Sequence, residues 1–180
     1  MVELRPMEPG DLALVERWLA EPHVARWYLA GSSLEAELED IRRSVSGAHA
    51  VHMFIVLLDG EPVGWCQWYL CDVDPTWAAE IGAEPGDCGI DYAIGEPGRV
   101  GGGTGTALIT ALVRLVRATR PGCGIVANPD ERNAASRRVL EKNGFELVMI
   151  RAMVSEPTED PMAVYRLSGD VGADGLNSAG

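Results

Sequence analysis

A chain of 180 residues with 47% apolar side chains can fill one core and not two. No apolar run approaches the roughly 18 residues that span a bilayer. Met1-Val2-Glu3-Leu4-Arg5-Pro6 has neither the basic nor the apolar stretch of a signal peptide, so a soluble cytoplasmic protein with no membrane contact is expected. A net charge of -12 argues against nucleic acid as a partner, because binding phosphates needs a basic face.

Residues 2–5 alternate apolar and polar and predict a short strand. Asp11 can cap a helix in which Leu12, Val15 and Leu19 share a face, running to about residue 20. Glu21-Pro22 restarts the chain in a second short helix that reaches Trp27-Tyr28 and breaks at Gly31. Ser32-x-x-Glu35 is a capping-box pattern, and Leu34, Leu38 and Ile41 carry a third helix to about residue 46. Residues 51–58 and 62–70 predict two strands joined by Asp59-Gly60, a strong hairpin signal. Residues 72–87 read as a loop rich in acid, Gly and Pro, with Trp77 inside it. A strand at 88–94 leads into Gly101-Gly102-Gly103-Thr104-Gly105 and a helix over 106–119, which Pro121-Gly122 ends. A short buried strand at 124–127, a turn at Asn128-Pro129 and a helix over 133–143 closed by Gly144 follow. Strands at 145–153 and 162–167 complete one domain over 1–168, and the Gly-, Asp- and Ser-rich residues 169–180 predict a disordered tail. Hairpins and a crossover coexist, so the expected class is α/β of the α+β type: a mixed sheet with helices on its faces.

Charge is distributed unevenly along this order. Residues 44–98 hold no Lys or Arg but include Asp59, Glu61, Asp72, Asp74, Glu80, Glu84, Asp87, Asp91 and Glu96. Arg99, Arg114, Arg117, Arg120, Arg132, Arg137 and Arg138 then follow. One part suits a cation and the next an anion. Cys66, Cys71, Cys88 and Cys123 show no Cys-x-x-Cys pair and no histidine at zinc spacing, so four free thiols and no metal site are expected. His23, His49 and His52 receive no role.

Two segments can carry chemistry. A strand, a Gly-rich loop and a helix start together make an anion cradle, since glycines allow close approach and the first helical N–H groups point outward. It is not a Walker loop, because Lys-Ser/Thr is missing after the last glycine, nor does it match Gly-x-Gly-x-x-Gly with a following acid. The second segment is Asn133-Ala134-Ala135-Ser136-Arg137-Arg138-Val139-Leu140-Glu141-Lys142-Asn143-Gly144-Phe145.

Together, in this order, the two segments resemble the GNAT superfamily of N-acetyltransferases over about residues 2–167. That family has a loop Arg/Gln-x-x-Gly-x-Gly/Ala and a helix Asn-x-x-Ala-x-x-x-Tyr-x-x-x-Gly-Phe. Here Val100 stands where Arg or Gln is usual, with Arg99 one position early, and Leu140 stands at the helix Tyr. The resemblance implies a mostly antiparallel sheet of six to seven strands, four to five helices, and acetyl-CoA as the acetyl donor. It places the pyrophosphate on Gly101, Gly102, Gly103, Thr104, Gly105 and Thr106, and the pantetheine arm along Asp91, Tyr92, Ala93 and Ile94. Asn133 and Ser136 would face the thioester end, with Arg132, Arg137 or Arg138 at the outer phosphate.

Within the superfamily the chain is most similar to aminoglycoside 6'-N-acetyltransferases, through Ala25-Arg26-Trp27-Tyr28, Gly60-Glu61-Pro62-Val63-Gly64, Gln67-x-Tyr69, Gly89-Ile90-Asp91, Asn128-Pro129 and Asp160-Pro161-Met162-Ala163-Val164-Tyr165. This likeness implies a small cationic amine as acceptor and Asp91 as the group that holds it and takes its proton. Trp27, Tyr28 and Trp77 offer flat faces, and Asp74, Asp87 and Asp160 offer bonds to further ammonium groups. Asn128 stands where an acid is expected. With Leu140 in place of the Tyr, the thiolate leaves unaided or takes a proton from Tyr165 or water. A monomer or homodimer fits. A lysine- or siderophore-type N-acyltransferase, a protein acetyltransferase and a non-catalytic acyl-CoA or polyamine sensor are the competing readings.

Overall fold

The computed structural model describes residues 1–156, 158 and 160–169; of the expected tail, residues 170–180 lie outside the described residues. Seven strands form one sheet in the order β1-β2-β3-β4-β5-β7-β6. They are β1 (Val2–Pro6), β2 (Val51–Leu58), β3 (Glu61–Leu70), β4 (Cys88–Ile94), β5 (Ile125–Ala127), β6 (Glu146–Arg151) and β7 (Met162–Leu167). All neighbours are antiparallel except β4 and β5. The β2–β3 hairpin turns on Asp59 (φ 52°) and Gly60 (φ 86°), the two left-handed residues that a tight turn matching strand twist requires.

Alternation along β4 divides its side chains between two cores. Cys88, Ile90, Tyr92 and Ile94 pack with α5 (Thr104–Thr119) and α6 (Ala134–Lys142). The α5 stripe of Leu108, Ile109, Leu112 and Val116 is fully buried there, each side chain contributing roughly 1.5–3 kcal/mol. Ala93 points to the other face, where Trp65 of β3 meets Val15, Trp18 and Leu19 of α1 (Leu12–Leu19), Val24 of α2 (Pro22–Tyr28) and Ile41 of α3 (Leu34–Val45).

Among the described residues there are six α-helices, one more than the sequence predicts at most. The addition is α4 (Pro75–Ile81), inside the stretch read as a loop. Asp74 caps it by accepting from the Thr76 and Trp77 N–H groups, Pro75 fills the first position, and Gly82 (φ 67°) closes it. A third buried cluster forms where Trp77 and Ile81 meet Val126 and Val164. No helix among the described residues is long and apolar enough to cross a membrane.

Candidate active site

The sheet opens at β4 and β5. These strands pair only at Cys88–Ile125 and Gly89–Val126, and part beyond them. The Cys88 N–H donates to the Gly124 carbonyl at 2.9 Å, so alternation turns the N–H groups of Ile90, Tyr92 and Ile94 to the same side. His23 Nε2 donates to the Ile94 carbonyl at 2.9 Å and braces α2 against this edge. The result is a strand edge that can receive an extended ligand, with α2 as the facing wall.

At one end of the opening lies the glycine loop. Gly101 (φ 86°) and Gly103 (φ 85°) take a left-handed conformation that other residues resist. Gly103 caps α5, whose first turn carries no acidic residue, so its outward N–H groups and dipole favour an anion. Gly105 lets α6 approach closely: a Cβ there would stand 3.3 Å from Val139 Cγ2.

This first cleft is lined by twelve of the residues singled out from the sequence for the cofactor: Tyr92, Ala93, Ile94, Arg99, Val100, Gly101, Gly103, Gly105, Thr106, Asn133, Ser136 and Arg138. Gly102 and Thr104 are not among its walls; Gly102 is exposed on the loop, and Thr104 is buried beneath the helix start. His23, Val24, Ala135, Val139 and Lys142 also line it, and the sequence reading passed over them.

Of the three arginines offered for a phosphate, only Arg138 reaches this cleft. Arg132 is committed to Asp130 and Asp160. Arg137 donates to the Tyr165 hydroxyl at 3.0 Å and to the Glu131 carbonyl at 3.0 Å.

The second cleft contains Asp91. Gln67 stands opposite it in the β3–β4 register and donates Nε2–H to its carboxylate at 2.8 Å. Burial pushes the Asp91 carboxyl above its ordinary range, against the opposing pull of hydrogen bonds from Gln67 and Tyr69. Trp27, Tyr28, Asp74, Trp77 and Asn128, singled out from the sequence for the substrate, line the same cleft. Asp74 serves there as the α4 cap, and Trp77, almost buried, packs on Tyr69 with ring centroids 5.6 Å apart.

Two expected substrate residues are elsewhere. Asp87 is only 3% exposed. It accepts from the Glu84 N–H at 2.7 Å and the Gly124 N–H at 3.1 Å, and it forks onto Arg166. It is therefore a structural anchor at the start of β4. Asp160 is held by Arg132 and Thr158 and lies off the cleft. Leu140 is fully buried in the core. Tyr165 is also fully buried, donating to Glu141 at 2.7 Å while accepting from Arg137, and it lines neither cleft. It cannot hand a proton to a group in the opening.

Three carboxylates in the second cleft went unnoticed in the sequence: Glu37 on α3, Asp130, which Arg132 pairs, and Glu156 beyond β6. Asn128, where an acid is expected, donates to Glu156 at 2.6 Å, so a carboxylate reaches that place from another segment. Burial raises the pKa of Glu37, with Ser32 opposing and the Asp40 and Asp91 charges adding. Burial likewise raises Glu156, with Asn128 opposing and the charges of Asp91 and Glu80 adding. The Asp91 charge thus raises the affinity of both Glu37 and Glu156 for a proton. Trp27, Tyr28, Tyr92, Asn133 and Ser136 line both clefts and mark their seam. Among the described residues no group of three or more His, Cys, Asp or Glu is placed to hold a metal ion.

A family model for an acetyltransferase (GNAT) domain matches residues 8–153. The chain is 34% identical over 151 residues to an aminoglycoside N(6')-acetyltransferase type 1 from Klebsiella pneumoniae, covering 81% of this chain and 74% of that protein. It is 26% identical over 171 residues to a lysine N-acyltransferase, MbtK, from Mycobacterium tuberculosis, covering 91% and 76%. The crystal structure of aminoglycoside acetyltransferase AAC(6')-Ib with coenzyme A and kanamycin superposes with a TM-score of 0.79 at 30% identity, covering 93% of this chain and 95% of that one.

Proposed function

Taking as premise that the chain belongs to the GNAT acetyltransferase family and is an acetyl-CoA-dependent N-acetyltransferase, we propose that its acceptor is an aminoglycoside, acetylated at the 6'-amine with Asp91 assisting. One acetyltransferase domain over residues 1–168, working in the cytoplasm as a monomer or homodimer, carries the activity. The observation that bears most weight is the meeting, at one seam, of an anion cradle and a cleft walled by Asp91, Glu37 and Glu156.

The residues present fit acetyl-CoA. The N–H groups of Gly101, Gly103, Gly105 and Thr106 and the Arg138 guanidinium suit its phosphates. The Tyr92 N–H, on the unpaired edge of β4, would donate to the thioester carbonyl of a bound donor. The bound donor supplies an acetyl group already activated as a thioester.

An aliphatic amine is mostly protonated at neutral pH and cannot attack until it loses that proton. Asp91 holds the ammonium, with Gln67 fixing the carboxylate's direction, and takes the proton that frees the lone pair for attack. Glu37 and Glu156 hold further ammonium groups, and Trp27 and Trp77 flank the rings. A lysine acceptor brings its own carboxylate into this acidic cleft, which like-charge repulsion disfavours.

Thiol release from acetyl-CoA, measured with kanamycin, spermidine and lysine in turn, tests the reading. Fast turnover on kanamycin with little on lysine is expected. Turnover on lysine alone would move the assignment to a lysine-type acyltransferase.

A further inference from the structure

Protonation by a side chain speeds departure of the sulfur, and neither Leu140 nor Tyr165 can provide it. The sequence has four tyrosines: Tyr28, Tyr69, Tyr92 and Tyr165. Tyr165 is tied to Glu141 and Arg137. Tyr69 lines the second cleft, beside Asp91, and not the first. Tyr92 shares a 2.6 Å hydrogen bond with Ser136 Oγ.

The Tyr28 hydroxyl differs. It is buried and makes no hydrogen bond to any described residue. An unmet buried hydroxyl costs about 1–3 kcal/mol, a cost that a ligand group in the seam would relieve. Its ring leans on Trp65, with centroids 5.1 Å apart, and Trp65 stands opposite Ala93 in the β3–β4 register. That contact fixes the ring over β4 at the junction of the two clefts, both of which it lines.

Building on the acetyl-transfer reading above, we infer that Tyr28 is a catalytic residue whose hydroxyl protonates the departing thiolate. The β4 edge presents N–H groups to the carbonyl oxygen from one wall. Tyr28, in the last turn of α2, lines both clefts from the other wall, where its hydroxyl would meet the sulfur of a bound donor. As the amine nitrogen bonds to the acetyl carbon, the carbon–sulfur bond breaks and its electron pair goes to sulfur. The Tyr28 proton moves to that sulfur and yields the free thiol. The proton that Asp91 took from the ammonium passes to solvent before attack, and the second proton, which the nitrogen sheds once it is bonded to the acetyl carbon, goes to Asp91, which returns it to the Tyr28 oxygen directly or through water. One ammonium and one thioester thus give one amide, one thiol and one released proton, and no oxidant or reductant is required. Burial, then the charge of Asp91, with Tyr92, Glu37 and Cys66 adding, keeps the Tyr28 phenol protonated well above the usual tyrosine range.

Tyr28→Phe removes only the oxygen and keeps the ring on Trp65. Turnover should fall roughly 100-fold with the acceptor KM unchanged. An independent reading comes from coenzyme A alone, titrated on the protein by the ultraviolet absorbance of its thiolate. The bound thiol should ionise at lower pH on the native protein than on Tyr28→Phe. Fluorotyrosine placed at position 28 preserves the fold and lowers the phenol pKa, so the alkaline limb of turnover should move down with it. Equal coenzyme A binding, an unshifted thiol titration and unchanged turnover in Tyr28→Phe would overturn the role of Tyr28. Failure of the native protein to bind coenzyme A would instead overturn the acetyl-transfer reading.

Discussion

Asp91→Asn is expected to lower turnover by roughly 10²- to 10⁴-fold while leaving the protein at least as stable at neutral pH. The first half follows from chemistry: an amide cannot take a proton from the incoming ammonium, and no other carboxylate shares the β3–β4 register position opposite Gln67. The second half follows from linkage. Burial raises the Asp91 pKa in the folded state, so the folded protein binds that proton more tightly than the unfolded chain does. Stability from this group is fully present below the unfolded carboxyl pKa and is lost as pH rises through the folded one. At neutral pH the ionised Asp91 is therefore a burden, and asparagine removes it while still accepting from Gln67. Activity runs the other way. It should fall as pH drops through the raised Asp91 pKa, with Glu37 and Glu156 facing the same cleft and broadening the limb. A thermal melt beside a pH–rate profile checks both halves. Near-native turnover in a folded Asp91→Asn would remove Asp91 from the mechanism.

Asp87→Ala is expected to do the reverse, lowering stability by about 3 kcal/mol or more and leaving the acceptor KM unchanged in the protein that folds. For a chain of this size that is roughly 6–12 °C in Tm. Its carboxylate joins the Glu84 and Gly124 N–H groups and the Arg166 fork, and so pins the start of β4 to the end of β7. Removing it leaves Arg166 only the longer, exposed contact with Glu84 at 3.3 Å. Gly124 has no side chain because a Cβ there would collide with Asp87 and Arg166. Denaturant unfolding measures the loss. A variant of native stability with a raised acceptor KM would return Asp87 to the substrate cleft.

These two aspartates mark where the sequence was legible and where it was not. They lie four positions apart in the same acidic stretch, and local pattern gives them one sign and one role. What separates them is tertiary. β4 enters the sheet paired to β5 at Cys88–Gly89 and leaves it unpaired, so Asp87 meets Arg166 while Asp91 faces the opening. Features fixed by neighbours in the chain read well: the Asp59-Gly60 hairpin, the α5 stripe, the Asn133 cap of α6 and the glycine loop. Helix α4 was missed because Asp74-Pro75 serves a turn as readily as a helix start. Glu37 sits on a helix rich in acids, where an exposed face is the ordinary expectation; only the packing of α3 on β2 brings it near Asp91. Glu156 and Asn128 are 28 residues apart, so nothing in the sequence announced that one supplies the charge the other lacks.

The central claim is acetyl transfer to the 6'-amine, and one measurement tests it most directly. Two aminoglycosides that differ only in an amine or a hydroxyl at the 6' carbon are compared for thiol release from acetyl-CoA, and the product is located by NMR. The account predicts rapid release with the amine, a product acetylated on the 6' nitrogen, and almost none with the hydroxyl. Equal release from both compounds, or acetyl on another nitrogen, would contradict it.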